Sequence, residues 1–255
     1  MLAKLVHARI DPGLVPLAAR AVAQELAPAF VAHPGARLGC WMTNRANGHV
    51  LAMTVWADES SLHAEQAADG AERAQVAERI GLELHAIEVL EVIAVHDLEP
   101  VDHTPRDHAA NDDAADDEVA ALANRWARVP WVEGLSPSAL DRVGELHAEI
   151  TPSQTRSDGF CASYWLADHE TGDGLALSTW ASAQQLHDGE PDSRRRRRAV
   201  ERALGCHVAM VGEYRALGVT VRPEPELQLH LFDLPAGLVG AGSGRRDHAS
   251  DRITV

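Results

Sequence analysis

The 255-residue chain carries 23 Lys and Arg against 38 Asp and Glu, a formal net charge of −15 at pH 7. That balance argues against nucleic acid or an anionic membrane surface as a partner. With 45% hydrophobic and 24% charged residues, the composition is that of a globular protein and excludes disorder of the whole chain.

The opening stretch Leu2 to Ile10 has the length and β-branched content of a strand. Pro12 to Ala32 follows with Leu14, Leu17, Ala21 and Leu26 at helical spacing, and Pro34-Gly35 stops it. Leu38 to Arg45 and His49 to Trp56 read as strands joined by the turn Ala46-Asn47-Gly48. Asp58 stands where a helix N-cap belongs, Leu62 begins the apolar face, and the helix is expected to end near Gly81. A strand from Glu83 to Val95 closes this half. His96 to Glu118 has no apolar periodicity and carries nine acids against the single Arg106, the pattern of a solvated linker.

The second half repeats the order. Trp126 to Glu133 reads as a strand, Ser136 to Ile150 as a Ser-capped helix, and a hairpin turns through Thr171-Gly172-Asp173-Gly174. Ser182-Ala183-Gln184-Gln185 matches a capping box, the helix behind it runs to about Gly205, and His207 to Val219 is the last strand. Beyond it Leu227, Leu229 and Leu231 alternate as in a short extra arm, and Gly237 to Val255 reads as a frayed tail.

The halves align without a gap. Gly35 to Ala57 lies over Gly159 to Ala181 at a constant offset of 124 residues. The same offset pairs Trp41 with Trp165, Gly48 with Gly172, Trp56 with Trp180, His63 with His187 and Gly81 with Gly205. Chance rarely matches tryptophans twice, so the chain reads as a tandem duplication. The expected division is residues 1–97, an acidic linker over 98–120, a second domain over 121–221, and an arm and tail over 222–255. Each half has the order βαββαβ, a ferredoxin-like unit in an α+β fold. Two such units can bury their bare sheet faces against each other, which makes one chain a pseudo-dimer. A further homodimer stays open.

Several residues carry a resemblance: Gly159-Phe160, Tyr164-Trp165-Leu166, Glu170-Thr171-Gly172, Leu175 through Trp180, and the Glu213-Tyr214 strand. Together they resemble the antibiotic-biosynthesis-monooxygenase-like (ABM) family of dimeric α/β barrels. The resemblance implies an intramolecular barrel and, in one branch, a cofactor-independent monooxygenase acting on a quinol or an anthrone. The alternative it leaves is a non-catalytic small-molecule-binding or stress-associated module. The haem-degrading branch has a tryptophan and a histidine nine and nineteen residues after the position of Trp56. Here those places hold Glu65 and Gln75, and Gly189 and Ala199 in the second half, so no haem is expected.

Candidate roles follow. His63 and His187, in the first turns of their helices, are candidate bases. Trp56 and Trp180 are candidate cavity walls. Trp41 and Trp165 on one face of the second strands, and Asn44 and Tyr164 on the other, are candidate contacts to an aromatic small molecule. Each also reads as an ordinary packing or surface residue.

His85, His207 and His230 show no metal-ligand spacing, so no metal is expected, and no phosphate loop or nucleophile elbow implies another cofactor. Arg194 to Arg198 is a run of five arginines that reads first as a solvated helix surface, with an anionic ligand or the acidic linker as the alternative contact. Cys40, Cys161 and Cys206 form no CxxC pair and fit free thiols in a reducing compartment. No leader pattern and no run of about 18 apolar residues is read, which points to a cytoplasmic protein without a membrane partner. Lys4 is the sole lysine, a bias typical of GC-rich bacterial genomes.

Overall fold

A computed structural model describes residues 1–97 and 125–221. The remainder of the acidic segment and the C-terminal arm and tail, with Leu227, Leu229, Leu231 and His230, lie outside the described residues. The first described segment runs β1 (Leu2–Arg9), a helical stretch containing α1 (Val15–Ala21) and α2 (Ala27–Ala32), β2 (Ala36–Asn44), β3 (His49–Trp56), α3 (Glu59–Arg79) and β4 (Glu83–Asp97). The second runs β5 (Trp126–Glu133), α4 (Pro137–Gln154), β6 (Phe160–Ala167), β7 (Gly174–Trp180), α5 (Ala183–Asp188), α6 (Glu190–Leu204) and β8 (His207–Val221).

All eight strands close into one antiparallel barrel in the order β1-β3-β2-β8-β5-β7-β6-β4, with β4 returning to β1. Each segment supplies four neighbouring strands. The two seams between them are β2 with β8, where Cys40 faces Val219, and β4 with β6, where Val95 faces Tyr164. Alternation along the strands sends one set of side chains inward. Leu5, Met42, Leu51, Met53, Val129, Leu177 and Tyr214 fill the barrel, and the helices cover the opposite face. Burying an average apolar side chain of this kind contributes about 1.5–3 kcal/mol, so the packed interior is the main reason the two units stay together.

The turns match their chemistry. Gly48 and Gly172 hold φ of 71° and 74°, and a Cβ there would stand 2.3 Å from the carbonyl oxygens of Ile10 and Leu135. Only glycine fits both demands. Asp58 accepts a hydrogen bond from Ser61 N–H at 2.8 Å, and Ser182 accepts from Gln185 N–H at 3.3 Å, so both expected caps form.

Three departures from the sequence reading have physical causes. The stretch Pro12–Ala32 begins as a tight 3-10 turn and widens over Val22–Leu26, where Ala27 N–H reaches back to the Val22 carbonyl. Pro28 follows at once, and its missing N–H and its ring disturb the regular ladder. The helix expected after Ser182 is two helices that meet at Gly189, followed by Pro191, which again cannot donate. Gly189 also lies so near Trp180 that an added Cβ would be 2.9 Å from its ring. The closing strands run two residues longer than expected, to Asp97 and Val221, because pairing across the β4–β6 and β2–β8 seams continues there.

By length and composition Pro12–Ala32 could cross a membrane, with mean hydropathy 1.3, contrary to the expectation that no such stretch exists. In this structure it packs across the sheet, burying Val15, Ala18, Ala21, Val22 and Phe30.

Candidate functional site

Each unit can hold a cavity between its sheet and its helices, and each places a buried cation on its opening strand there. In the first unit Lys4 Nζ donates to Glu65 Oε2 at 3.2 Å, and Arg73 pairs with the same carboxylate. Burial, then the positive charge of Arg73, lowers the Lys4 pKa to about 8. Phe30 meets Trp41 and Trp56 edge-on, with ring centroids 6.0 and 5.0 Å apart. A small space of about 20 Å³ lies in this unit beside Glu25, Glu72 and Arg73.

The second unit is built differently at the corresponding places. Arg128, the counterpart of Lys4, is 2% exposed; it donates to Glu213 Oε1 at 2.9 Å and to the Leu186 carbonyl at 3.0 Å. Its Nη1 stands 2.9 Å from Glu190 Oε2, although neither atom there finds an aligned hydrogen bond. Burial alone would raise the Glu190 pKa, but hydrogen bonds from Arg197 and Arg194 and the charge of Arg128 outweigh it and leave the carboxyl below its usual value. Above this cluster opens a cavity of about 80 Å³. Its walls are apolar, with Val143, Ile150, Trp165, Leu175 and Val200 among them. Its polar lining comes from Arg128, Gln154, Ser163, Ser178, Ser193, Arg196 and Arg197.

One polar network backs the cavity. Ser163, 1% exposed, places its Oγ 3.1 Å from His147 Nε2 and 3.5 Å from Gln154 Oε1. Ser163 donates to Gln154 Oε1, and its Oγ accepts from His147 when the Nε2–H tautomer is present. Burial, then the charge of His96, pulls the His147 pKa down to about 4, so its imidazole is neutral at physiological pH. His147 also lies edge-on to Trp165.

The residues singled out from sequence are scattered. Trp165 borders the cavity. Trp56 and Trp180 are fully buried packing groups whose Nε1 atoms donate to Thr54 and Ser178, at 3.1 and 3.2 Å; neither borders the cavity, and only Ser178 connects Trp180 to it. Trp41 packs on Phe30 in the first unit. Tyr164 faces the barrel interior. Asn44 closes the hairpin by accepting from Ala46 N–H at 3.0 Å, as Asp168 does from Glu170 N–H at 2.7 Å, which explains why Asn and Asp interchange there. The side chains of His63 and His187 are 64% and 57% exposed; His63 pairs with Glu59 at 3.3 Å, and His187 lies 3.8 Å from Glu213. Neither histidine reaches the cavity.

Sequence reasoning missed Arg128, His147, Gln154 and Ser163. The 124-residue offset sets Lys4 over Arg128, and that pairing of basic residues was the available signal. The other three replace Ala23, Phe30 and Gly39, so they are legible only as departures from the repeat.

A second group of polar rings lies at one barrel mouth. His49 Nδ1 is 3.1 Å from the Tyr214 hydroxyl, and His7 packs against Trp131 with centroids 5.2 Å apart. Burial first, then neighbouring positive groups, lowers the pKa of both His7 and His49. Among the described residues no three His, Cys, Asp or Glu side chains gather as a metal site, and Cys40, Cys161 and Cys206 are free thiols.

No family model and no curated relative matches the sequence. Solved structures do match in three dimensions. A Fusobacterium nucleatum protein provisionally named a monooxygenase superposes with a TM-score of 0.59 at 9% identity, covering 87% of this chain and 94% of its own. A Lactobacillus acidophilus protein with the same provisional name gives 0.56 at 12% identity, over 87% and 99% of the two chains. The chain shares their fold, an α/β barrel closed by eight antiparallel strands. An anthrone oxidase-like protein gives 0.51 at 13% identity, over 88% of this chain and 94% of its own. At such identities the likeness is one of fold.

Proposed function

We propose that this ABM-like barrel is a cofactor-independent monooxygenase of a small electron-rich aromatic, acting in the cavity of the second unit. The observation that carries this reading is an apolar pocket, with Trp165 as one wall, lined also by a buried Ser163 whose hydroxyl is held by neutral His147. Apolar walls with a few convergent polar groups suit an aromatic ring bearing hydroxyls. A cavity of about 150 Å³ takes one benzene. At about 80 Å³ the space here therefore favours a single-ring quinol over a tricyclic anthrone, and admits even one ring only as α4 and α6 move apart.

In this reading the substrate supplies every electron. A quinol anion passes one electron to oxygen, the radical pair closes to a ring hydroperoxide, and cleavage of its O–O bond releases water and leaves a hydroxyquinone. One oxygen atom enters the ring and the other leaves as water, so quinol plus oxygen balances with no further reductant. The protein contributes a dry space and orientation. Ser163 accepts or donates at the substrate hydroxyl, and His147 fixes the Ser163 hydroxyl in turn. A histidine whose pKa lies near 4 is a weak base, so its part is to orient the hydroxyl rather than to carry its proton away. His63 and His187 have no part in this mechanism.

The test is oxygen uptake by metal-stripped protein with a panel of single-ring and tricyclic quinols, alongside the cavity-filling variant Gln154→Phe. Uptake by the parent that Gln154→Phe abolishes supports the reading. Uptake equal in both proteins, or none with any quinol, rejects it. Tight binding without turnover would place the protein with non-catalytic binding modules instead.

A further inference from the structure

The run Arg194 to Arg198 finds no use in the scheme above, and its members do different things. Arg194 pairs with Glu190 at 3.5 Å and Arg195 pairs with Asp192, both on the helix surface. Arg197 turns inward and pairs with Glu190 at 2.6 Å. Arg196 also turns inward and borders the cavity, and among the described residues its guanidinium donates to Ser193 Oγ at 3.2 Å. Among the described residues no carboxylate pairs with it. Glu190 and Glu213 pair with the cavity-lining Arg128, and Glu190 is shared with Arg194 and Arg197.

We infer that Arg196 is the receptor for an anionic oxygen on the ligand, so the cavity takes a small apolar molecule bearing one carboxylate or phenolate. A half-buried guanidinium facing apolar walls is incompletely solvated, and an incoming oxyanion would restore what burial removes. Burial first, then the neighbouring Arg128, Arg197 and Arg195, pulls the Arg196 pKa below its usual value, as expected of a cation that has lost water and stands among like charges. An anion relieves that crowding. The first unit has Glu72 at the corresponding position, so the charge is reversed there, and Glu65 already pairs with both Lys4 and Arg73. Among the described residues Arg196 is therefore the cavity-lining cation without a carboxylate partner, and it lies in the unit that has the larger of the two cavities.

This inference rests on the cavity being the ligand site, and it supplies what that reading lacks. With only a weak base at hand, ionisation of a quinol must come from stabilising its anion, and Arg196 does so by lowering the hydroxyl's pKa in place.

The experiment is calorimetric titration of the full chain with propionate and benzoate against their uncharged isosteres propionamide and benzamide, repeated with Arg196→Gln and Arg196→Lys. A charge-assisted contact predicts that an acid binds about tenfold or more tighter than its amide. Arg196→Gln should bring the acid down to the amide and leave amide binding unchanged, and Arg196→Lys should recover part of the difference. Equal binding of acid and amide, parallel loss of both in Arg196→Gln, or no binding of either to the parent overturns the inference. Arg196-dependent acid binding together with no oxygen uptake from any quinol would reject the monooxygenase alone and leave the anion site standing.

Discussion

Phe30 and Gln154 occupy the same position of the two units, and where Phe30 closes against Trp41 and Trp56, Gln154 borders an open cavity and approaches the Ser163 hydroxyl. This exchange is one of several, with Ser163 for Gly39 and His147 for Ala23, that distinguish the receptive unit from the packed one. Gln154→Phe should abolish ligand binding and turnover while costing about 1–3 kcal/mol of stability, the usual range for overpacking. Titration calorimetry and urea unfolding of the same preparation would check both parts. Retained binding in a folded variant would contradict the assignment of the cavity.

Trp56 and Trp180 should behave as core residues. Either Trp→Ala substitution is expected to cost about 3–5 kcal/mol, read as a lower urea midpoint. Whatever activity survives in the folded fraction should keep the parent's KM, because neither ring touches the cavity.

His63 and His187 face solvent, and replacing both with alanine should change stability by no more than about 0.5 kcal/mol. Turnover of any quinol found active should stay within about twofold. A large loss of kcat would show that these side chains fold inward during the reaction.

His147 gives the protein a pH dependence whose sign can be worked out. Its folded pKa is near 4 and its reference value is 6.5, so between those limits the unfolded chain binds the extra proton. Stability is fully present above about pH 6.5, falls as the pH drops towards 4, and is level below that as far as this group is concerned. The expected loss is on the order of 3 kcal/mol. His7 and His49 shift in the same direction and add to the slope. Urea unfolding between pH 4.5 and 7.5 should show a shallower slope for His147→Gln than for the parent. Identical slopes would mean that His147 titrates normally in the folded protein.

Much of the fold could be read from residues because local signals and the repeat agree. Asp58 and Ser182 mark helix starts that form as expected, Gly48 and Gly172 mark tight hairpins, and β-branched runs mark strands whose ends fall within two residues of the reading. The site was far less legible. Repeat-matched residues such as Trp56 with Trp180 and His63 with His187 drew attention because they agree between halves, yet agreement marks what both units need, which is packing and helix capping. Ser163, Gln154 and His147 appear where the halves disagree, and Arg196 was hidden among identical neighbours. Which of five consecutive arginines turns inward depends on helix phase relative to the sheet, and a run of one residue type carries no phase.

Closure of the barrel by one chain, through the β2–β8 and β4–β6 seams, also sets its stoichiometry. In a barrel assembled from two identical chains every substitution is made twice, so a change that opens a cavity on one side opens it on the other and doubles the stability lost. A barrel made by a single polypeptide escapes that symmetry. Phe30 can stay as ballast while Gln154 accommodates a guest, and Glu72 and Arg196 can carry opposite charges at equivalent positions without either compromising the other. The expected saturation is one ligand per chain, with the filled unit serving as the rigid half against which the receptive half can flex.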